Sequence, residues 1–435
     1  MPSHKPREIA VQILRRVIES RRFVEDELLN QKLDSSLSPR DKRLCHEIVL
    51  GVIRNQILLD WLIEQITHRN RQRPSLRILL QTAFYQIFIL DRIPDHAVVH
   101  ETVSLARNLG FSRQAGFVNA VLRNSLRNRD QLRNEIESMK KNRAFIVFSH
   151  PEWLQQRWKK RFGSESCLEL MEWNNRIPPV YVRVNSSDSH KSPLPAAWEK
   201  QGIEFKAFDL PWLRDPLFYE IRFNGPIQQQ QGFEEGGFYI QDPSASSAVE
   251  LLNPQKGGSY LDFCAAPGGK TTLIAQWIQN HGEVVACEFS ETRLNRLREN
   301  VDRMQSSNVE VYLLADWERQ HKSSSGGRFD GVLVDVPCSN TGVMRRRIDV
   351  RHRLNEEFFS TLPDMQLKIL KSAANYVKKG GTLVYSTCSV ESEENREVVD
   401  RFLKEHSQFE IKAERTILPQ VDKMDGAYAA ALIHR

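Results

Sequence analysis

Along the first third of the chain, apolar positions recur at the three-to-four-residue spacing of a helix. Ile9, Val11, Ile13, Leu14, Val17 and Ile18 follow Arg7 and Glu8 and predict one amphipathic helix. Ser38 and Pro39 predict the start of another. A serine oxygen can accept from a free amide at the cap, and proline suits the first turn because it has no amide to leave unpaired. Cys45, Ile48, Val49, Val52 and Ile53 then line one face. Leu76 to Leu90 is more uniformly apolar and predicts a buried helix, and Pro94 breaks the chain before another near Val98–Leu109. Arginines recur on this stretch at Arg69, Arg71, Arg73, Arg123, Arg127 and Arg129. Residues 1–140 therefore read as an all-α bundle with a basic rim.

Residues 141–255 are mixed. Ser149-His150-Pro151-Glu152-Trp153 opens a helix and Pro179 to Asn185 reads as a strand. The glutamine run Gln228 to Gln231 reads as a solvated loop. A small α+β module with a linker is expected. From residue 256 to 435 strand and helix patterns alternate. The expected strands are Ser259–Cys264, Val284–Glu288, Val309–Leu314, Gly331–Asp335 and Thr382–Ser386. Between them Glu291–Met304, capped by Ser290, and Phe358–Lys378, ended by Gly380-Gly381, read as helices. That alternation predicts a doubly wound, mostly parallel α/β sheet.

Length and composition narrow the picture only a little. A chain of 435 residues fits two or three domains, and 40% hydrophobic with 27% charged residues is ordinary for a globular protein. No run of about 18 apolar residues occurs, so no membrane span is expected. The opening Met1 to Lys5 lacks the apolar stretch of a secretory signal, and a cytoplasmic location is expected. The net charge of +6 permits nucleic-acid binding without requiring it. The six cysteines form no CxxC pair and no Cys/His cluster. Structural zinc and a disulfide framework are not expected, which leaves reduced thiols, buried or catalytic.

The chemistry gathers where ligands bind in such a sheet, beyond the carboxyl ends of the strands. After the first strand comes Cys264-Ala265-Ala266-Pro267-Gly268-Gly269-Lys270. Its small residues allow close backbone approach, and the helix that follows points its N-terminus at the ligand. It is neither a P-loop nor a GxGxxG turn. Glu288 ends the second strand, where a carboxylate can accept from ribose hydroxyls, and Asp316 ends the third, where it can accept from an adenine amino group. The fourth strand ends Asp335-Val336-Pro337-Cys338-Ser339 and the fifth Ser386-Thr387-Cys388-Ser389. A lone cysteine in a sheet is usually a small buried hydrophobe. Two in polar turns at the ligand edge suit a different task, adding to carbon 6 of a cytosine so that carbon 5 becomes nucleophilic.

Taken together, the turn Asp262 to Thr271 and the Asp-Val-Pro-Cys-Ser and Ser-Thr-Cys-Ser sequences resemble the RNA cytosine-5 methyltransferases. Pro39 to Arg43, Ile93 to Glu101 and Gly116 to Arg123 are similar to the NusB-type RNA-binding domain. That pairing resembles the RsmB-type enzymes, which act on 16S rRNA. With Ser149–Trp153 and Gln241–Ala245 also similar, the resemblance spans nearly the whole chain.

The resemblance implies a NusB-like bundle over 1–140, a small α+β RNA-binding module over 141–255 and a Rossmann-like catalytic domain over 256–435. It implies S-adenosyl-L-methionine as cofactor, a single-stranded or flipped cytosine of 16S rRNA as partner, no membrane, no metal, and a monomer. Cys388 would be the nucleophile and Cys338 would assist breakdown of the adduct. Asp335 would hold the base near N3 and Lys270 would sit between cofactor and base. Cys264, Ala265, Ala266, Pro267, Gly268 and Gly269 would wrap the methionine part, with Glu288 on the ribose and Asp316 on the adenine. Apart from the resemblance, the charge run Arg345-Arg346-Arg347 just after Gly342 reads as a phosphate clamp beside the site or, equally, as a solvated face. Val336, Asn340, Glu288 and the Ala427–Ala431 run depart from the family's usual residues. The same chemistry on tRNA, or a non-catalytic assembly factor, are the competing readings. Retention of Cys338, Cys388, Lys270 and Asp335 speaks against the second.

Overall fold

The structure, a computed structural model, describes residues 5–30, 37–68, 72–90, 93–186, 194–214, 217–279, 281–321 and 327–435. Arg69 and Arg71 of the expected basic rim lie outside the described residues. The chain divides into two compact units, Met1–Arg176 with Met344–Arg353, and Ile177–Val343 with Leu354–Arg435.

The first unit is helical, as the periodicity predicts. Its helices include Lys5–Glu19, Pro39–Arg54, Gln56–Thr67, Pro74–Phe88, Asp95–Asn108 and Ala115–Arg127. Pro39–Arg54 starts as expected, with the Ser38 hydroxyl accepting from the Asp41 amide at 3.1 Å. The apolar faces of these helices bury Ile13, Leu14, Ile48, Val52, Leu79 and Phe84 in one core, which Ile348 of the returning segment joins. Arg351 of that segment is fully buried. Its guanidinium donates to the carbonyls of Arg54, Phe148 and Asn174 and to the side chain of Asn175.

The second unit holds two sheets. The smaller joins β1 (Val180–Val184), β2 (Glu204–Phe208), β3 (Phe218–Arg222) and β4 (Phe238–Ile240) in the antiparallel order β2-β3-β1-β4. The larger has β5 (Ser259–Asp262), β6 (Glu283–Glu288), β7 (Val309–Leu313), β8 (Phe329–Asp335), β9 (Val377–Thr387), β10 (Phe409–Ile417) and β11 (Ala427–His434). Its order is β10-β11-β9-β8-β5-β6-β7. Strands β7, β6, β5, β8 and β9 run parallel, and β11 and β10 close the sheet antiparallel. Chain order reverses at β5, which has β6 on one side and β8 on the other, so a crevice opens beyond the carboxyl ends of β5 and β8.

The pattern of strands and helices differs from the sequence reading in several places. The helix from Phe358 stops at Ala374 instead of Lys378. Gly380-Gly381 lies inside β9, where Gly380 takes φ +79° and the pairing with β8 shifts register. The glycines there serve a bulge and not a helix end. Strands β10 and β11 were not expected. The alanine run Ala427–Ala431 has helical propensity, yet it is buried between β9 and β10, where small side chains suit a central strand. Asp316, expected at a strand end, sits in the first turn of the helix Leu314–His321.

Candidate active site

The turn after β5 is built from small residues because the chain must fold back tightly. Gly268 takes φ +104°, which a side chain would strain, and a Cβ on Gly269 would lie 3.0 Å from Gln241. The helix Gly269–Trp277 follows directly. Beside this turn lies a cavity of about 190 Å³ lined by Asp262, Cys264, Ala266, Gly269, Lys270 and Asp335, among others.

Lys270, on the first turn of that helix, donates to Asp335 at the end of β8 across 2.7 Å. Burial alone would lower the lysine's pKa, but the aspartate's charge and hydrogen bond outweigh it, so the ammonium is held charged. The charge of Cys388 pushes in the same direction.

The two motif cysteines converge. Cys338 follows β8 and Cys388 follows β9, neighbours in the parallel sheet, and their sulfurs stand 3.3 Å apart as free thiols. The hydrogen bond to Cys388, then burial and the neighbouring negative charges, raise the Cys338 thiol well above its usual pKa. Cys388 also approaches Asn340 Oδ1 at 3.2 Å. Asn340 itself holds the Cys338 carbonyl at 2.8 Å from a left-handed backbone with φ +60°. The remaining cysteines, Cys45, Cys167, Cys264 and Cys287, are buried, and burial raises each of their thiols, the inert pattern.

The structure thus brings Cys338, Cys388, Lys270, Asp335 and the Cys264–Gly269 turn together. Glu288 and Asp316 are not brought to the cavity wall. Glu288 is fully buried, with its carboxylate accepting from the amides of Ala266, Phe289 and Ser290 and from Arg293. Asp316 is exposed and pairs with Arg319. Ser290 stands at the cap of Glu291–Arg303 but makes no side-chain cap bond, and its amide donates to Glu288 at 3.2 Å. The expected three-arginine clamp is corrected at Arg345. That residue is 2% exposed and lies over the Trp173 ring at 4.3 Å within the first unit, so it is not free to meet a phosphate.

Two residues carry more than sequence reasoning assigned them. Asp262 ends β5 fully buried, bonded through one oxygen to Thr271 at 2.6 Å and unpartnered at the other. Burial pushes it up to about 7, against the pull of the Thr271 bond. Its place in the quoted turn was the only available signal. Glu394 lies beneath both cysteine loops, with no local pattern to mark it. Among the described residues no group of three or more metal-ligating side chains occurs, and no helix is long and apolar enough to cross a membrane.

Comparison with known proteins gives this geometry its relatives. The family model "16S rRNA methyltransferase RsmB/F" matches residues 249–433, the NusB family matches 4–127, and a ferredoxin-like domain of RsmF/B-like methyltransferases matches 150–212. The ribosomal RNA small subunit methyltransferase B of Photorhabdus laumondii is 35% identical over 414 residues, 93% of each chain. A probable ribosomal RNA small subunit methyltransferase B of Bacillus subtilis is 32% identical, covering 93% of this chain and 89% of its own. The crystal structure of PH0851 has the same fold, with a TM-score of 0.79 at 24% identity over 100% of this chain and 99% of that one. With a 35% identical relative matched over 93% of both lengths, and family models placed on all three stretches, the chain belongs to the RsmB/F family of 16S rRNA methyltransferases.

Proposed function

We propose that this protein transfers a methyl group from S-adenosyl-L-methionine to carbon 5 of a cytosine in 16S rRNA, through a covalent bond between Cys388 and carbon 6 of the base. The observation that carries the reading is the meeting of two free thiols, 3.3 Å apart, beyond the strand ends that also hold the Lys270–Asp335 pair.

The lining of the cavity suits the methionine end of the proposed donor. The buried, unpartnered oxygen of Asp262 suits a cationic group such as the donor's ammonium, and the small-residue turn leaves room for the methionine part. Glu288 and Asp316, proposed for the ribose and the adenine, lie off this cavity, so the donor would extend past it to reach them. When bound, the donor supplies an electrophilic methyl group on a sulfonium.

The chain's own residues account for the remaining steps. Lys270 places a positive charge near Cys388. The Cys388 thiolate forms a bond to carbon 6, the C5–C6 π pair moves onto carbon 5, and N3, held by Asp335, takes up a proton from water. Carbon 5 forms its bond to the methyl, and the methyl–sulfur pair stays on the departing sulfur. Cys338 then assists transfer of the proton on carbon 5 to water. That electron pair restores the C5–C6 double bond, the C6–Cys388 bond breaks to a thiolate, and N3 returns its proton. The target base must be flipped or single-stranded, since no thiol reaches carbon 6 inside a stack.

The test is methyl transfer from the labelled donor to unmodified 16S rRNA and, separately, to tRNA, with the labelled nucleoside identified. Label in 5-methylcytosine of 16S rRNA is expected. Label in another nucleoside overturns the chemistry, and label in tRNA alone overturns the substrate.

A further inference from the structure

Each catalytic cysteine is followed by a serine, and one buried acid holds both serines. Glu394 ends the short turn Ser392–Glu394 after β9 and is fully buried. Its Oε1 accepts from the Ser339 amide at 2.8 Å and from Gln366 Nε2 at 3.0 Å. Its Oε2 accepts from the hydroxyls of Ser339 and Ser389. The two hydroxyls are themselves 3.1 Å apart, and Thr341 lies 3.1 Å from Ser389. Gln366 also holds the carbonyl of Pro337, the residue before Cys338, at 3.0 Å. The acid is anchored in turn, because its backbone carbonyl accepts from the Tyr385 hydroxyl on β9.

A buried carboxylate is a costly way to fill a core, and an apolar side chain would be cheaper. All four of its donors are neutral: two hydroxyls, a backbone amide and a side-chain amide. An acceptor-only group with two oxygens takes four donors, drawn from both loops, at once, where an apolar residue takes none and a single hydroxyl at most two.

We infer that Glu394 is a positioning residue that clasps the Cys338 loop to the Cys388 loop through Ser339 and Ser389, and so fixes the spacing of the two thiols for the step that ends the covalent adduct. The inference rests on the roles proposed above for Cys388 and Cys338. Burial raises the Glu394 carboxyl above its usual pKa while its four donors pull it back. Its charge is among the groups that raise the Cys338 thiol, after the bond to Cys388 and burial. The clasp therefore acts on Cys338 both sterically and electrostatically.

The experiment is rapid-quench kinetics on the full chain with 16S rRNA, following formation and resolution of the protein–RNA adduct in wild type, Cys338→Ala, Glu394→Gln and Ser339→Ala. In Glu394→Gln, adduct should form at close to the wild-type rate and resolve about tenfold more slowly, the rate equivalent of one net hydrogen bond. The KM for RNA should stay unchanged while kcat falls. Ser339→Ala, which removes one hydroxyl, should move the same way by a smaller factor and stands in if Glu394→Gln does not fold. Parallel loss of formation and resolution, or wild-type resolution in both variants, overturns the clasp. Failure of Cys338→Ala to accumulate adduct overturns the underlying assignment of the thiols, and the clasp with it.

Discussion

Asp262 shows how one buried atom can set the pH response of a site. Its folded-state carboxyl is pushed up to about 7 by burial, so it loses its charge as pH falls through neutrality. A cationic donor group would be held by the charged form alone. The wild-type KM for S-adenosyl-L-methionine should therefore rise as pH drops below about 7, the value the buried carboxyl takes. Asp262→Asn should raise that KM about tenfold at pH 8, the worth of one charge-assisted hydrogen bond, and flatten the pH dependence. Initial rates across pH 6–9 test both, and an unchanged pH profile in the variant would contradict the role. Cys338 and Cys388 were legible in the sequence because two cysteines in polar turns at neighbouring strand ends are unusual. Asp262 and Glu394 were not: the role of Asp262 lies in its burial, which only the fold supplies, and that of Glu394 in reaching Ser339 across 55 residues of chain.

Close approaches of backbone explain other identities. Gly342 and Gly426 pack against each other: a Cβ on Gly342 would stand 2.8 Å from the Cys388 carbonyl oxygen and 2.8 Å from the Gly426 Cα. The Gly342 amide donates to the Cys388 carbonyl at 3.0 Å, and the Gly426 amide to the Gly342 carbonyl at 2.8 Å. Gly342→Ala must push the Cys388 loop aside. Its kcat is expected to fall at least about tenfold while the methyl-donor KM changes less than threefold, the pattern of lost positioning. Equal loss of donor affinity would argue for a collapsed cavity instead. The helices and five parallel strands were legible because their burial is one-sided or continuous over several residues. The Gly380 bulge and β11 were not. A glycine pair fits a helix end and a bulge equally well, and an alanine run is helical by propensity until neighbouring strands bury it.

For the whole molecule, the inserted segment Met344–Arg353 is part of the first unit's core, and Arg351 anchors it there. Arg351→Ala leaves three carbonyls and an amide oxygen without their donor and should destabilise that unit by roughly 2 kcal/mol or more. Hydrogen exchange of the helices Pro39–Arg54 and Ala144–Val147 would report the loss locally, which a single melting temperature of a two-unit chain cannot do. Unchanged exchange there would rule out an anchoring role. The charge run that reads as a clamp in sequence is split by the fold, with Arg345 buried and Arg347 exposed. RNA binding through the remaining cations should weaken about tenfold or more between 0.05 and 0.2 M salt, as for about three phosphate contacts on a single strand.

Covalent attack by Cys388 is the central claim, and trapping the adduct tests it most directly. Cys338→Ala is incubated with the methyl donor and 16S rRNA, digested, and the cross-linked peptide is sequenced by mass spectrometry. A methylated cytidine joined to the peptide bearing Cys388 is expected, and no adduct when Cys388 is also changed to alanine. Turnover of 16S rRNA by Cys388→Ala at the wild-type rate, or an adduct on any other residue, would contradict it.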